Sequence, residues 1–381
     1  MVAKRHVKRV LLDIAKLIME LIMATLKLEN VNKTYPSGTQ ALKNVNLSLE
    51  DGEFIALIGG EKSGKSTLLR VVAGLEQATD GKILIGDKDV TETPVKDRDV
   101  FMAFQNNTLS LNSTVYENLA YGLKLRAYPK TAIDKKVNSV AEILALTDVL
   151  NKKPKQLTAE QRQRVNLGRA LVREPKLYLF DEAFSGLDAN LKQKMLKLLI
   201  SLQIRMQGTF VYATKNVADA LTLATKVAVM EKGELVQFDT PENVYDNPAS
   251  TFVAYLVGSP SISLINDATL QKDENGVFAV VGDKKIAISN ALATKVAPDY
   301  IGTGKKVIVG VRAEDVKVQK DGSLACTVYA VDGDITEFKL NDNSYITAVV
   351  DGYKKGESVS LALNPDKLCV FDAQTTKTIL Q

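Results

Sequence analysis

The chain has few of the residues that build metal and disulfide sites, with a single histidine, His6, and two cysteines, Cys326 and Cys369. The cysteines show no CxxC spacing, which excludes a disulfide framework and a zinc site and fits a reducing compartment. The histidine stands outside every motif described below. Long apolar runs are also missing. The nearest, "LIMELIMATL", is interrupted by Glu20 and falls short of the ~18 residues a membrane span requires, so the chain is not expected to cross a bilayer by itself. Clustered positive charge is scarce as well. The formal charge is +4, but residues 1–22 carry Lys4, Arg5, Lys8, Arg9 and Lys16 against Asp13 and Glu20, and so supply +3 of it. The near-neutral remainder argues against a nucleic-acid partner.

What is present is ordinary globular composition, 45% apolar and 25% charged, over 381 residues. That length is too great for one compact core and predicts two domains. The leader "AKRHVKRVLLDIAKLIMELIM" has helical apolar spacing with basic flanks, which suits a membrane surface or a partner helix, and it lacks the small-residue cleavage site of a signal peptide.

From Lys27 the chain reads as strand ("LKLENV"), turn, strand ("NVNLSLE"), a tight turn at Asp51-Gly52, and the almost continuous apolar strand "EFIALIG", with the helix "KSTLLRVVAGLE" directly behind it. Residues 131–175 read as mostly helical, and strand and helix alternate again from "KLYLF" through "GTFVYAT", "VADALTLA" and "KVAVME". Apolar strands alternating with amphipathic helices predict an α/β sheet buried on both faces. After "TPENVYDNPASTFVAYLVGSP" the texture changes to short β-type runs with turn signals, predicting a small all-β barrel over residues 259–381 and a boundary near Gly258.

Two motifs carry chemistry. "GGEKSGKST" matches G-x-x-x-x-G-K-[ST] at Gly59, Gly60, Glu61, Lys62, Ser63, Gly64, Lys65, Ser66 and Thr67, between a strand and a helix as that motif requires. Such a loop aims backbone N–H groups at phosphate oxygens, the helix dipole adds to them, the lysine reaches the terminal phosphates and the serine ligates Mg²⁺. Glu61 inside the loop should weaken phosphate binding unless Lys62 or solvent compensates it. The second motif, "KLYLFDE", ends a buried strand in Asp181 and Glu182, where the first is expected to hold Mg²⁺ through water and the second to orient or deprotonate the attacking water. Together they define a nucleoside triphosphate site.

Beyond these motifs the chain resembles the ATPase subunits of ATP-binding cassette (ABC) importers, most closely those for sugar and glycerol-phosphate uptake, over nearly its whole length from Met23. "KTYPSG" puts Tyr35 where that family stacks an aromatic on adenine, and "PVKDRDVFMAFQ" puts Gln105 where its glutamine meets Mg²⁺ and the membrane subunits. "NSTVYENLAYGLKLR" is near the family pattern, and "SGLDANL" carries Asp188 toward the other subunit. "GSPSISLINDATL", "VIVGVRAED" and "DKLCVFDAQT" resemble the oligonucleotide-binding-like (OB-like, TOBE) regulatory domain of the subgroup. The resemblance implies a P-loop NTPase with a RecA-like core, an antiparallel β subdomain and a helical subdomain over 23–258, followed by the TOBE domain over 259–381. It implies ATP and Mg²⁺ as ligands, permease transmembrane subunits and an extracytoplasmic solute-binding protein as partners, a homodimer or a heterodimer with another ABC ATPase, and a place on the cytoplasmic face of a bacterial membrane. Residues 1–22 are then an extension with an expected translation start after them at Met23, because Met19-Glu20 encodes a purine-rich GGA where a bacterial ribosome-binding site would lie.

The chain departs from the family at two motifs. The signature Leu-Ser-Gly-Gly-Gln, which grips the γ-phosphate bound to the other subunit, is replaced by Leu157-Thr158-Ala159-Glu160-Gln161. Thr158 can still cap the helix with Gln161 as its capping-box partner. Glu160, however, brings a negative charge to the helix N-terminus, and at ~4 Å and an effective dielectric of ~20 one like-charge contact costs on the order of 4 kcal/mol. Ala159 adds a Cβ where the family keeps bare backbone. The switch histidine aligns with Lys215, which can donate to phosphate but, when protonated, accepts nothing. Asn216 and Val217 replace the polar pair after it, and Ala183 the proline after the catalytic glutamate. Two readings follow, an ATP-hydrolysing importer subunit and an ATP-binding, hydrolysis-impaired structural or regulatory paralogue. A soluble ATPase acting on DNA or ribosomes is disfavoured by the β-rich tail and the near-neutral charge.

Overall fold

The computed structural model describes residues 25–104, 109–341 and 344–380. The leader and Gln105 lie outside the described residues. The chain forms two compact units, Met1–Phe238 and Asp239–Gln381.

The first unit is built on a six-stranded sheet of order β10-β9-β3-β8-β7-β6, comprising β3 (Phe54–Gly59), β6 (Val100–Phe104), β7 (Leu177–Asp181), β8 (Thr209–Ala213), β9 (Lys226–Glu231) and β10 (Glu234–Asp239). Strands β6 to β9 pair in parallel through β3. Every residue of β3, β7 and β8 is buried, as expected of a sheet covered on both faces. Alternate residues serve opposite faces. Phe54, Tyr178, Phe180, Phe210 and Tyr212 pack on one side with α2 (Val115–Leu125), α3 (Lys130–Ile143), α4 (Ala159–Leu171), α5 (Ala189–Met206) and the end of α6 (Val217–Leu223). Their neighbours Ile55, Leu57, Leu177, Leu179 and Val211 pack on the other with α1 (Lys65–Ala73). That second layer is completed by an antiparallel sheet of order β2-β1-β4-β5, from β1 (Leu26–Thr34), β2 (Gln40–Leu49), β4 (Asp80–Ile85) and β5 (Lys88–Asp89). At the centre of the first face, the Phe210 ring lies 4.5 Å from Tyr178, 5.6 Å from Phe180 and 6.1 Å from Phe54, centroid to centroid. Each such fully buried side chain is worth ~1.5–3 kcal/mol. Because β3, β8 and β7 are parallel neighbours in register, with Leu57 and Asp181 both level with Ala213, their C-terminal ends open side by side on one edge of the core, where α/β sheets bind ligands.

The second unit is β-rich. It carries α7 (Pro241–Asp246) and α8 (Thr251–Val257), a sheet of order β13-β12-β11-β14-β20, and another of order β15-β19-β16-β17-β18. The first sheet holds β11 (Ser263–Asp273), β12 (Gly276–Val281), β13 (Lys284–Ile288), β14 (Lys306–Val311) and β20 (Cys369–Asp372). The second holds β15 (Val316–Val318), β16 (Leu324–Asp332), β17 (Ile335–Leu340), β18 (Tyr345–Val349) and β19 (Ser358–Leu363), and its end strands β15 and β18 approach each other, so it curls toward a barrel. Both sheets share one core, including Leu270, Val309, Phe338 and Leu361. Helices α7 and α8 precede Gly258 in sequence yet pack with this unit. Buried Arg312 explains why: its guanidinium lies 3.8 Å over the Tyr245 ring and donates to the Tyr245 and Ala254 carbonyls. Both cysteines are buried thiols here, and burial pushes each up to about 11.

Candidate functional site

The loop between β3 and α1 is held open by glycines at its two ends. Gly59 has φ +151°, and a Cβ there would lie 2.2 Å from the Met230 carbonyl oxygen; Gly64 has φ +103°, and its Cβ would meet the Ala41 carbonyl oxygen at 2.6 Å. Only glycine fits such positions. Within the loop the Lys65 ammonium donates to the Gly59 carbonyl at 2.8 Å, the Gly60 carbonyl at 2.9 Å and Ser63 Oγ at 3.1 Å. Burial lowers the Lys65 pKa, and the carboxylate of Glu182 opposes that shift. The Ser66 hydroxyl donates to Asp181 Oδ1 at 2.9 Å, joining the start of α1 to the end of β7. The Tyr35 hydroxyl lies 3.4 Å from Thr67 Oγ1, and the Lys33 ammonium sits 5.1 Å from the Tyr35 ring centroid. A cleft of about 790 Å³ runs from Thr39 and Gln40 along the loop to Glu182 and Lys215.

At the far wall, Glu182 follows β7 in a left-handed backbone conformation, φ +49°. Its N–H donates to the Ala213 carbonyl at 3.0 Å, tying it to the end of β8. From that strand end comes Lys215, whose ammonium lies 3.2 Å from Glu61 Oε1 and 3.8 Å from Glu182 Oε1. The hydrogen bond to Glu61 and the charge of Glu182 raise the Lys215 pKa. The carboxylate inside the phosphate loop is thus compensated by Lys215, a partner that sequence reasoning, weighing Lys62 and solvent, did not find. No local signal could have revealed it, since the two residues lie on different strand ends.

The helix that replaces the signature forms as its residues predict. Thr158 Oγ1 accepts from the Gln161 N–H at 3.1 Å and Gln161 Oε1 accepts from the Thr158 N–H at 3.0 Å, a complete capping box at the start of α4. Glu160 differs from expectation in one respect: its carboxylate is engaged, by Arg164 one turn on at 2.5 Å and by Lys194 of α5 at 3.6 Å. The Arg164 hydrogen bond holds its pKa below the usual carboxylate range. An (i, i+4) Glu–Arg pair is legible in sequence, whereas Lys194 is not. These tethers offset part of the charge that Glu160 brings. Asp188 caps α5, accepting from the Leu191 N–H at 3.0 Å. Thr158, Ala159, Glu160, Gln161 and Asp188 do not line the cleft, so this chain brings together the phosphate loop, Asp181, Glu182 and Lys215 but leaves the signature residues apart.

The donors near Ser66 are a hydroxyl and a carboxylate, the hard oxygens that Mg²⁺ takes. Among the described residues no group of three or more His, Cys, Asp or Glu could cage a metal alone. The hydroxyl and carboxylate pair fits an ion held by one or two protein oxygens together with substrate phosphates and water.

Glycine-bounded loop, helix N-terminus, paired hydroxyl and carboxylate, and a second acid at the strand end define a P-loop nucleoside triphosphatase. Comparison with known proteins narrows the class. The sequence profile of the ABC transporter family matches residues 42–185. The chain is 38% identical to the sn-glycerol-3-phosphate import ATP-binding protein UgpC of Psychromonas ingrahamii, over 94% of this chain and 96% of the relative. It is 42% identical to the protein of that name from Salmonella typhimurium, over 80% and 84%. Among solved structures, cbiO1 of Clostridium perfringens, part of the ABC transporter complex cbiONQ, matches with TM-score 0.53 and 29% identity over 57% of this chain and 89% of that one. The ATP-binding cassette MJ0796 bound to ADP and Pi, in a dimeric post-hydrolysis state, matches with TM-score 0.50 and 29% identity over 57% and 98%. The chain belongs to the ABC transporter family as an ATP-binding import subunit with ATPase activity, and its fold is that of an ABC ATPase followed by a small β domain.

Proposed function

We propose that the chain drives uptake of a glycerol-phosphate or carbohydrate solute, hydrolysing Mg-ATP at a site shared between two copies or with an ABC ATPase paralogue, beneath permease subunits on the inner face of the membrane. The observation that carries this reading is the 2.9 Å link between Ser66 and Asp181 beneath a glycine-bounded phosphate loop, in a chain similar along almost its full length to sn-glycerol-3-phosphate import proteins. In this reading Lys65 exchanges its loop carbonyls for the terminal phosphates, and Tyr35 carries the adenine. Gly60, Ser63 and Thr67 complete the cradle. Ser66, Asp181 and Gln105 would hold Mg²⁺, whose contribution when bound would be to neutralise charge developing on the phosphates. Glu182 orients the attacking water, and Lys215 donates to the γ-phosphate in place of a histidine. Thr158, Ala159, Glu160, Gln161 and Asp188 face the partner's nucleotide.

Residues 23–258 serve as the nucleotide-binding domain and 259–381 as the regulatory domain, with 1–22 an extension outside both. Among the described residues no helix is long and apolar enough to cross a membrane, which suits a subunit that reaches the membrane through partners. An exposed apolar groove of about 470 Å³ is lined by Leu75, Val95, Met102, Leu125, Arg126 and Phe104, the residue that precedes Gln105 in sequence, and suits a permease element. Leu75, Val95 and Leu125 are exposed there together, at 46%, 43% and 70%, and clustered exposed apolar surface marks interaction sites.

The test is reconstitution with permease subunits and a solute-binding protein that co-purify with the chain, measuring ATP-dependent uptake of labelled glycerol 3-phosphate and of a sugar panel into vesicles. Uptake of neither class, with the complex assembled, refutes the solute reading. ATPase activity without stimulation by permeases refutes the partner reading.

A further inference from the structure

We infer that Glu61 is a positioning residue for Lys215, holding the lysine across the mouth of the phosphate cleft until a γ-phosphate takes it over, and that this competition lowers the chain's preference for ATP over ADP. The inference rests on the proposed role of Lys215 at the γ-phosphate.

Glu61 stands inside the phosphate loop, at a place where a fixed negative charge opposes the ligand. Its side chain is 81% exposed and could point into solvent, yet its carboxylate meets Lys215 at 3.2 Å. Lys215 reaches back from the end of a different strand and lies also 3.8 Å from Glu182, the acid proposed to orient water. One ammonium therefore bridges the loop that binds phosphates and the acid that activates water. The groups facing Lys215 are these two carboxylates and the cations that share the cleft, Lys65 and Lys62 among them. Lys65 is drawn inward onto the loop carbonyls, leaving the carboxylates to Lys215.

A γ-phosphate entering between Lys65 and Glu182 carries more negative charge than Glu61 and competes with it for the Lys215 ammonium. Lysine is a compact point charge on a flexible stem and can change partners by rotation. ADP has no group that reaches this position, so the Glu61–Lys215 bridge survives its binding. Glu61 thus acts against ATP twice, by repelling it and by occupying its cation, and against ADP less. The bridge is exposed, so its effect is modest and sensitive to salt.

The experiment is a double-mutant cycle on nucleotide binding by the full chain, using Glu61→Gln, Lys215→Met and the double variant, with Mg-ATP and Mg-ADP titrated by calorimetry at low and high salt. Glu61→Gln is expected to raise the ATP-to-ADP affinity ratio about two- to five-fold, the range of exposed ion pairs. The gain should shrink at high salt and be smaller when Lys215 is already Met, where only the direct repulsion of phosphate by Glu61 is left to relieve. Glu61→Asp, which keeps the charge, should stay near the parent ratio. A structural role for Glu61 would move both nucleotides alike. An unchanged ratio, or Glu61→Gln and Lys215→Met effects that simply add, overturns the inference and leaves the proposed function standing. A parent chain that binds neither nucleotide overturns both.

Discussion

The two halves of an ABC nucleotide site are built in this chain by different physics. The cradle half is backbone geometry and buried hydrogen bonds: glycines walled by carbonyl oxygens, a 6% exposed Lys65, and the Ser66–Asp181 link. The half proposed to meet the γ-phosphate and the partner subunit is made of ion pairs with at least one well-exposed member, Glu61–Lys215–Glu182 on one side and Arg164–Glu160–Lys194 on the other. Buried geometry resists substitution because each atom is over-determined, whereas a surface ion pair is worth ~1 kcal/mol or less and can be traded for another. All departures from the family motifs noted here fall in the second half or at the rim of the first.

The comparison is tested most severely at Lys65. Lys65→Ala should abolish Mg-ATP binding by calorimetry, because among the described residues no other cation is buried against the loop carbonyls; binding within a few-fold of the parent would show that the cradle is not the anchor. The next effect concerns turnover. With Glu160 and Lys215 present the steady-state ATPase rate is expected below ~1 s⁻¹, the low end of the usual enzyme range. Glu160→Gly should tighten ATP-driven dimerisation, seen by light scattering. Adding Lys215→His should raise turnover beyond the product of the single changes, since both act at one γ-phosphate. Because Arg164 and Lys194 already hold Glu160, the gain from Glu160→Gly alone should fall well short of the ~4 kcal/mol of an uncompensated contact. A fast parent enzyme would make Thr158-Ala159-Glu160 a working variant of the signature.

A smaller effect separates folding from function on α4. Thr158→Ala removes the side-chain cap and should cost about 1 kcal/mol in denaturant unfolding, with Mg-ATP binding to the isolated subunit unchanged; a loss of binding would mean that the helix start supports the cradle of its own chain. The smallest expected effect is none at all. A chain starting at Met23 should match the full chain in melting temperature and ATP affinity, and a clear fall in either would give residues 1–22 a structural role.

How much of this was legible in sequence follows the same division. The continuous apolar runs at "FIALIG" and "LYLFD", the glycine loop and the Asp181-Glu182 pair lie within short windows, and local pattern suffices for them. The capping box at Thr158 and Gln161 was readable for the same reason. The Glu61–Lys215 pair and the Lys194 tether were not, because each joins residues on separate elements whose meeting depends on strand order. The placing of α7 and α8 with the second unit likewise turns on one distant residue, Arg312, whose contacts with Tyr245 and Ala254 no periodicity announces.

The open floor of the phosphate loop bears on how this sequence could have changed over time. At Gly59 and Gly64 an added methyl collides with a carbonyl oxygen, but at Gly60 it meets nothing within 4 Å, and Glu61 and Lys62 beside it face solvent. Drift is therefore blocked at the rim posts and at Ser63, which is buried and accepts from Lys65, is restricted at Lys62 by its left-handed backbone, and is freest at positions 60 and 61, provided that any new charge finds an answer elsewhere. In an ancestral chain with a neutral loop, a lysine arriving at position 215 would have had the Glu182 carboxylate as its single acidic partner, and an acid arriving at position 61 would have met incoming phosphate with no cation of its own. Either change smooths the way for the other, so the pair is expected to be gained or lost together along a lineage, while Gly59 and Gly64 stay fixed throughout.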